Sequence, residues 1–257
     1  MTFRMAALVA GIAATSAAPA LLAQDVEQEN RKWKATAEVG AISTSGNTET
    51  TTFQGKLDAT QDLNRWRNQY VLSILYTEDD IEQSDGTTST ETTAEKFSGS
   101  VKSAYKINND NANFFVFASH TNDEFGAYQK YTTLALGYGN RLFETSTMTL
   151  DAEIGPGYYW AEQDLPEPQG TTDEEGALLR AAAQYEWQVS ETADFKQVVS
   201  VEAADDNTRT ISDTSLSLRI NGALQMKIGY TLQNDSDVAP GKEKTDTTTY
   251  ANLVYKF

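Results

Sequence analysis

The sequence predicts an all-β protein, a transmembrane antiparallel up-and-down β-barrel of about twelve strands, and three observations carry that prediction. From Trp33 onward, runs with a period of two follow one another, and the connections between them alternate between short and long. The last run, Thr247 to Phe257, sets Ala251, Leu253, Tyr255 and Phe257 on one side and Thr248, Asn252 and Lys256 on the other, stopping at an aromatic residue. The amino terminus has a basic start at Arg4, an Ala-rich apolar run from Met5 to Ala20 and a small residue at Ala23, which together read as an export signal over residues 1–23. A membrane anchor at the same place needs about 20 strongly apolar residues, and Thr15, Ser16 and Pro19 interrupt this run.

The elements follow in order. Residues 24–32 read as a short polar lead-in on the periplasmic side, and residues 33–257 as one barrel domain with both termini periplasmic. Trp33 to Ile42 and Thr50 to Thr60 form the first two strands, joined through Ser43 to Asn47, where Gly46 and Asn47 tolerate positive φ. Arg65 to Thr77 carries Trp66, Tyr70, Leu72, Ile74 and Tyr76 outward, an aliphatic middle with aromatic ends, as in an interfacial girdle. A polar loop, Glu78 to Thr93, precedes a clean alternation in which Phe97, Val101, Tyr105 and Ile107 oppose Lys96, Ser98, Lys102 and Lys106. Strands follow at Ala112 to Thr121, Tyr128 to Phe143 and Thr147 to Trp160. In the last of these, Gly155-Pro156-Gly157 predicts a bend or bulge. A long acidic loop, Ala161 to Glu175, leads to strands at Gly176 to Val189, Asp194 to Ala203 and Thr210 to Ile220. Asn221-Gly222 is a two-residue hairpin signal before Ala223 to Gln233, and the loop Asn234 to Asp246 returns the chain to its closing strand.

Composition narrows the function classes. With 39% hydrophobic residues the chain is too polar for a helical membrane protein, whereas a barrel keeps half of each strand polar. The absence of cysteine removes disulfides and thiol chemistry. No Walker loop, no Cys or His metal cluster and no basic nucleic-acid surface is present, so no cofactor and no nucleic acid is expected. His120 is the only histidine, and Ser119 beside it points to the opposite strand face, so that pair cannot cooperate in hydrolysis. His120 reads as polar lining, and the chain as no enzyme.

Several loop motifs, in order, resemble a known family. Ser45-Gly46-Asn47-Thr48, Thr93-Ala94-Glu95, Gly155-Pro156-Gly157-Tyr158, Glu202 with Asp206-Asn207-Thr208, and Ser236-Asp237-Val238 followed by Pro240-Gly241 and Glu243 to Thr247 look like the salt-induced outer-membrane protein family, a domain of unknown function. The resemblance spans the chain from Trp33. It implies an outer-membrane barrel of a Gram-negative bacterium and a link to salt response, with no catalytic residue to carry over.

Charge divides by strand face. The net charge is -17, yet the inward positions include Lys96, Lys102, Lys106, Arg180, Arg219 and Lys227, so the lumen is expected to lean basic and these six are candidate lining residues. The acid is expected in the long loops, including Asp205, Asp206 and Asp237, which could bind divalent cations or bridge them to lipopolysaccharide. Tyr255 and Phe257 are the expected signal for the barrel-assembly machinery. Three functional readings stay open: a narrow channel for small solutes or ions with a role in envelope or osmotic adaptation, a closed structural barrel with acidic loops, and an outer-membrane hydrolase.

Overall fold

Twelve strands close on themselves in chain order, each antiparallel to the next, with the last paired to the first. This computed structural model describes residues 32–44, 49–82, 88–107, 111–165 and 170–257. The strands are β1 (Lys32–Thr44), β2 (Glu49–Asp62), β3 (Trp66–Glu82), β4 (Thr88–Ile107), β5 (Ala112–Asp123), β6 (Lys130–Glu144), β7 (Met148–Asp164), β8 (Thr171–Gln188), β9 (Ala193–Ala204), β10 (Thr208–Arg219), β11 (Leu224–Asp235) and β12 (Thr245–Lys256). The expected export signal, the lead-in up to residue 31 and the Ser45 to Thr48 motif lie outside the described residues.

Alternation drives the closure. Val39, Leu57, Leu72, Val101, Val116, Leu134, Ile154, Leu179, Ile228 and Leu253 all point outward and stay exposed, a belt of apolar side chains with no protein against it. An uncovered belt of that extent on a closed barrel is the face a bilayer solvates. Aromatic pairs mark its edge at the end where β1 starts and β12 finishes: Trp33 against Tyr70, Trp66 against Tyr105, and Tyr255 against Phe257 with ring centroids 4.8 Å apart. One sector departs from this pattern. On β9 and β10 the outward Gln197 donates to Ser212 Oγ at 2.9 Å and accepts from Thr214, so three polar side chains satisfy one another on the belt.

Two expected loops are shorter than the sequence suggests. β3 continues to Glu82 and β4 starts at Thr88, with a register shift between Thr77 and Glu78. β7 continues to Asp164 and β8 starts at Thr171. About 9 to 11 residues suffice to cross the hydrocarbon, so these strands project beyond it, where both faces are wet and an apolar alternation is neither needed nor visible in sequence. Their Thr residues still favour the extended backbone.

Gly155-Pro156-Gly157 does not break β7. Ala135 pairs Gly157 and Tyr138 pairs Ile154 in one register, and the register shift in this ladder lies at Arg141 and Phe143 instead. The glycines serve close approach: a Cβ on Gly155 would collide with the carbonyl oxygen of Leu136, and one on Gly137 with that of Ile154. Gly155→Ala is therefore expected to force the two backbones apart at a cost of about 1–3 kcal/mol, read as a lower denaturant midpoint of the folded barrel.

Candidate functional site

The interior holds charged side chains, most of them in pairs. In the middle of the barrel Lys102 donates to Glu153 Oε2 at 3.0 Å, and Arg180 donates to the other oxygen of the same carboxylate. Arg180 Nε also lies 3.5 Å from Glu202, whose second oxygen accepts from the Thr133 hydroxyl at 2.9 Å. The guanidinium sits 4.0 Å above the Phe117 ring, an inward aromatic that holds its flat face in place. Opposite this group, Glu38 accepts from Lys227 at 3.0 Å and from Asn252 Nδ2 at 3.2 Å. Tyr250 lies across Gly229, where any Cβ would meet its ring, and so reaches Asp213 at 2.9 Å.

Toward the end where β1 starts and β12 finishes, Asp62 takes Lys106 and Arg67, and Arg141 grips Asp151 with two nitrogens. Arg219, the last residue of β10, is exposed there and does not join the other candidate lining residues.

The loop end carries a clamp. Arg209 places Nε 2.9 Å from Asp235 Oδ1 and a terminal nitrogen 3.3 Å from Oδ2, and Asn207 and Gln233 donate to the same carboxylate. Its guanidinium lies 3.8 Å from the Tyr131 ring and 5.3 Å from that of Tyr128. Tyr131 stacks on Tyr159, and Ala127, Ala161 and Leu178 complete a small apolar core with Val238 packed against it. Tyr128 and Asp235 are each 1% exposed. The segment 236–244 folds over this core: Asn207 Oδ1 accepts from the Ser236 hydroxyl and the Asp237 N–H at 3.2 Å each, and Tyr128 donates to the Asp237 carbonyl at 3.3 Å. Burial, and after it the nearby Glu174 carboxylate, pushes the Tyr128 hydroxyl up. Lys96 reaches from β4 across the lumen to Gln233 on β11 at 3.0 Å, while also pairing with Asp123 at 2.9 Å.

These contacts correct the expected basic lumen. Asp62, Asp123, Asp213 and Asp235 join Glu38, Glu153 and Glu202 inside, so Lys96, Lys102, Lys106, Arg180 and Lys227 each face an anion or an amide oxygen. Unpaired charge in a narrow lumen costs far more than paired charge, which accounts for the matching. Acid expected in the loops also moves: Glu162, Glu174 and Glu175 lie on strands, and Asp235 is buried. Asp205, Asp206 and Asp237 stay exposed at the loop end, and among the described residues no group of three acidic or histidine side chains is placed to hold a metal ion.

The reading of His120 as lining is corrected as well. Its side chain continues the outward series Phe114, Val116 and Ala118, is exposed, and lies 2.8 Å from Thr132 Oγ1. Ser119 faces inward. His120→Ala is expected to leave stability within about 0.5 kcal/mol, checked by denaturant titration of the folded barrel.

A closed barrel with an apolar outer wall and a polar, ion-paired interior defines a membrane-spanning β-barrel. The chain belongs to the family described as protein of unknown function DUF481, whose model matches residues 37–257. It is 24% identical over 232 residues to the Escherichia coli (strain K12) protein described as uncharacterized protein YdiY, covering 90% of this chain and 86% of that one. Among solved structures it is similar to a NanC porin, at a TM-score of 0.48 and 11% identity over 87% of this chain and 98% of that one. It is also similar to an outer membrane channel from Pseudomonas putida F1, at a TM-score of 0.48 and 8% identity over 91% of this chain and all of the other.

Proposed function

We propose that this protein is an exported outer-membrane barrel that passes ions or small polar solutes through a narrow interior closed at its loop end. The observation that carries the reading is the line of side chains across the loop-end lumen, in which Lys96 spans from β4 to β11 and Arg209 is held against Tyr131 and Tyr128. Below it the lining is polar and partly open to water, with the side chain of Lys102 33% exposed. Such a lumen conducts only when the crossing is withdrawn. Because most of its charges are matched, it has little preference for anions or cations.

The reading includes cleavage of the export signal near Ala23, insertion by the barrel-assembly machinery, contact with lipopolysaccharide through the acidic loop end, and a part in envelope or osmotic adaptation, which the salt-induced resemblance implies. No catalytic role enters it, since His120 and Ser119 point to opposite faces. The structural alternative is supported by the same interior pairs, which brace a wall that need never open.

Recordings from planar bilayers separate the two. The channel reading expects small, brief openings from the native barrel and longer or larger ones from Lys96→Ala, which removes the crossing to Gln233. Silence from both proteins, each shown to be folded, favours the structural alternative.

A further inference from the structure

The wall of the barrel is sealed unevenly. Eleven neighbouring strand pairs are paired along most of their length, for example Glu49↔Asp80 to Asp62↔Arg67 between β2 and β3. Between β1 and β12 the pairing covers only Thr36↔Lys256, Ala37↔Tyr255, Glu38↔Val254 and Val39↔Leu253. Toward the loop end, Gly40 to Thr44 of β1 remain paired to β2, and Thr245 to Asn252 of β12 remain paired to β11, but the two strands do not pair with each other. A small cavity of about 30 Å³ sits in that notch, with Gly40, Ala41, Thr248 and Ala251 at the seam and Gln54 and Leu75 behind it on the inner wall.

The notch stands at the level of the apolar belt. Ala41 pairs with Phe53 and Phe53 with Tyr76, while on the other side Ala251 pairs with the outward Ile228 and Thr249 with the outward Tyr230. Unpaired strand edges are costly in hydrocarbon and are normally closed in a membrane barrel. Most of the residues at this edge are small, Gly40, Ala41, Thr248, Thr249 and Ala251, with Tyr250 and Asn252 between and beside them. A second observation points inward from the same place: Asn252, 2% exposed, uses its Nδ2 on Glu38 and leaves Oδ1 with no hydrogen-bond partner, beside Gly40.

We propose that the β1/β12 seam is a lateral portal, through which a single-chain amphiphile lying in the bilayer places its head group inside the barrel. The inference rests on the reading of the barrel as a membrane conduit and adds a second route to it. The tail stays in the hydrocarbon between β1 and β12. The head group, a hydroxyl or an ammonium, donates to Asn252 Oδ1, the acceptor left open there. With the axial route crossed by Lys96 and Arg209, the short seam is where the wall yields with the loss of fewest ladder bonds.

The test uses the absence of cysteine from the chain. Single cysteines at Gln54→Cys, on the inner wall beside the notch, and at Ser98→Cys, on the inner wall of β4 away from it, are introduced into the full barrel in liposomes. Heat-modifiable mobility confirms that both are folded. A maleimide carried on a long alkyl chain, resident in the bilayer, is expected to label Gln54→Cys several-fold faster than Ser98→Cys, while a charged water-soluble maleimide shows no such ratio. Dodecanol added to the bilayer should slow the labelling of Gln54→Cys, and Asn252→Leu should abolish that protection. Equal alkyl-maleimide rates at the two positions would overturn the portal, as would labelling that dodecanol leaves unchanged. Neither outcome depends on ion conductance, so the portal can fail while the channel stands, or hold in a barrel that carries no current.

Discussion

Replacing Arg209 with Ala should cost the folded barrel about 3–5 kcal/mol, the typical loss when one partner of a buried ion pair is removed and the other is left behind. Asp235 is 1% exposed and Arg209 5%, so water cannot take over the missing contacts. Asn207 and Gln233 would remain as donors to the carboxylate, but both are neutral. The stacked contact with Tyr131 disappears at the same time. The second half of the expectation is what separates the pair from its packing. Arg209→Met with Asp235→Leu should recover a large part of the loss, because two apolar side chains of similar volume leave no charge stranded. Urea unfolding of the single and double variants in the same lipid gives both numbers, and a double variant as weak as Arg209→Ala would show that the pair itself, not the stranded carboxylate, sets the stability.

Deleting Phe257 should reduce membrane-inserted protein far more than any loop substitution, with the chain accumulating outside the membrane. Its backbone N–H donates to the Ala35 carbonyl at 2.9 Å, one further bond, where β12 finishes, on a seam that has only four paired positions. Its ring meets Tyr255 edge-on at the rim of the apolar belt. A strand that closes through so few pairs has little to spare. Heat-modifiable mobility and membrane fractionation measure the outcome, and normal levels of inserted protein would rule out Phe257 as the assembly signal.

The number and order of strands were legible because each outward series, such as Leu224, Met226, Ile228 and Tyr230, or Trp66, Tyr70, Leu72 and Ile74, is set by contact with lipid, a rule that acts on one residue at a time. The interior was not legible in the same way. Which carboxylate meets Lys102 depends on where β7 stands relative to β4, and nothing local to either strand records that Glu153 is the partner. Arg209 and Asp235 read as parts of polar connections because the strands holding them extend past the hydrocarbon, where alternation fades. The flanking motifs around Asp206-Asn207-Thr208 and Ser236-Asp237-Val238 did point to this end of the molecule, and both fold against the clamp. On β5, Phe114 to Phe117 is apolar on both faces, so pattern alone could not say that Phe117 turns inward to carry Arg180. Gln197, Ser212 and Thr214 stand on the outward face, where polar residues are tolerated once they bond to one another.

The contacts across the lumen also decide how the tube answers load. A hollow cylinder squeezed by its surroundings fails first by flattening into an ellipse, a deformation that hydrogen bonds running around the wall resist poorly. Lys102 to Glu153 joins β4 to β7, Thr133 to Glu202 joins β6 to β9, and Lys96 to Gln233 joins β4 to β11. These are chords drawn at different angles across the section, and together they brace it as spokes brace a rim, so that membrane pressure on one side of the barrel is borne by strands on the other.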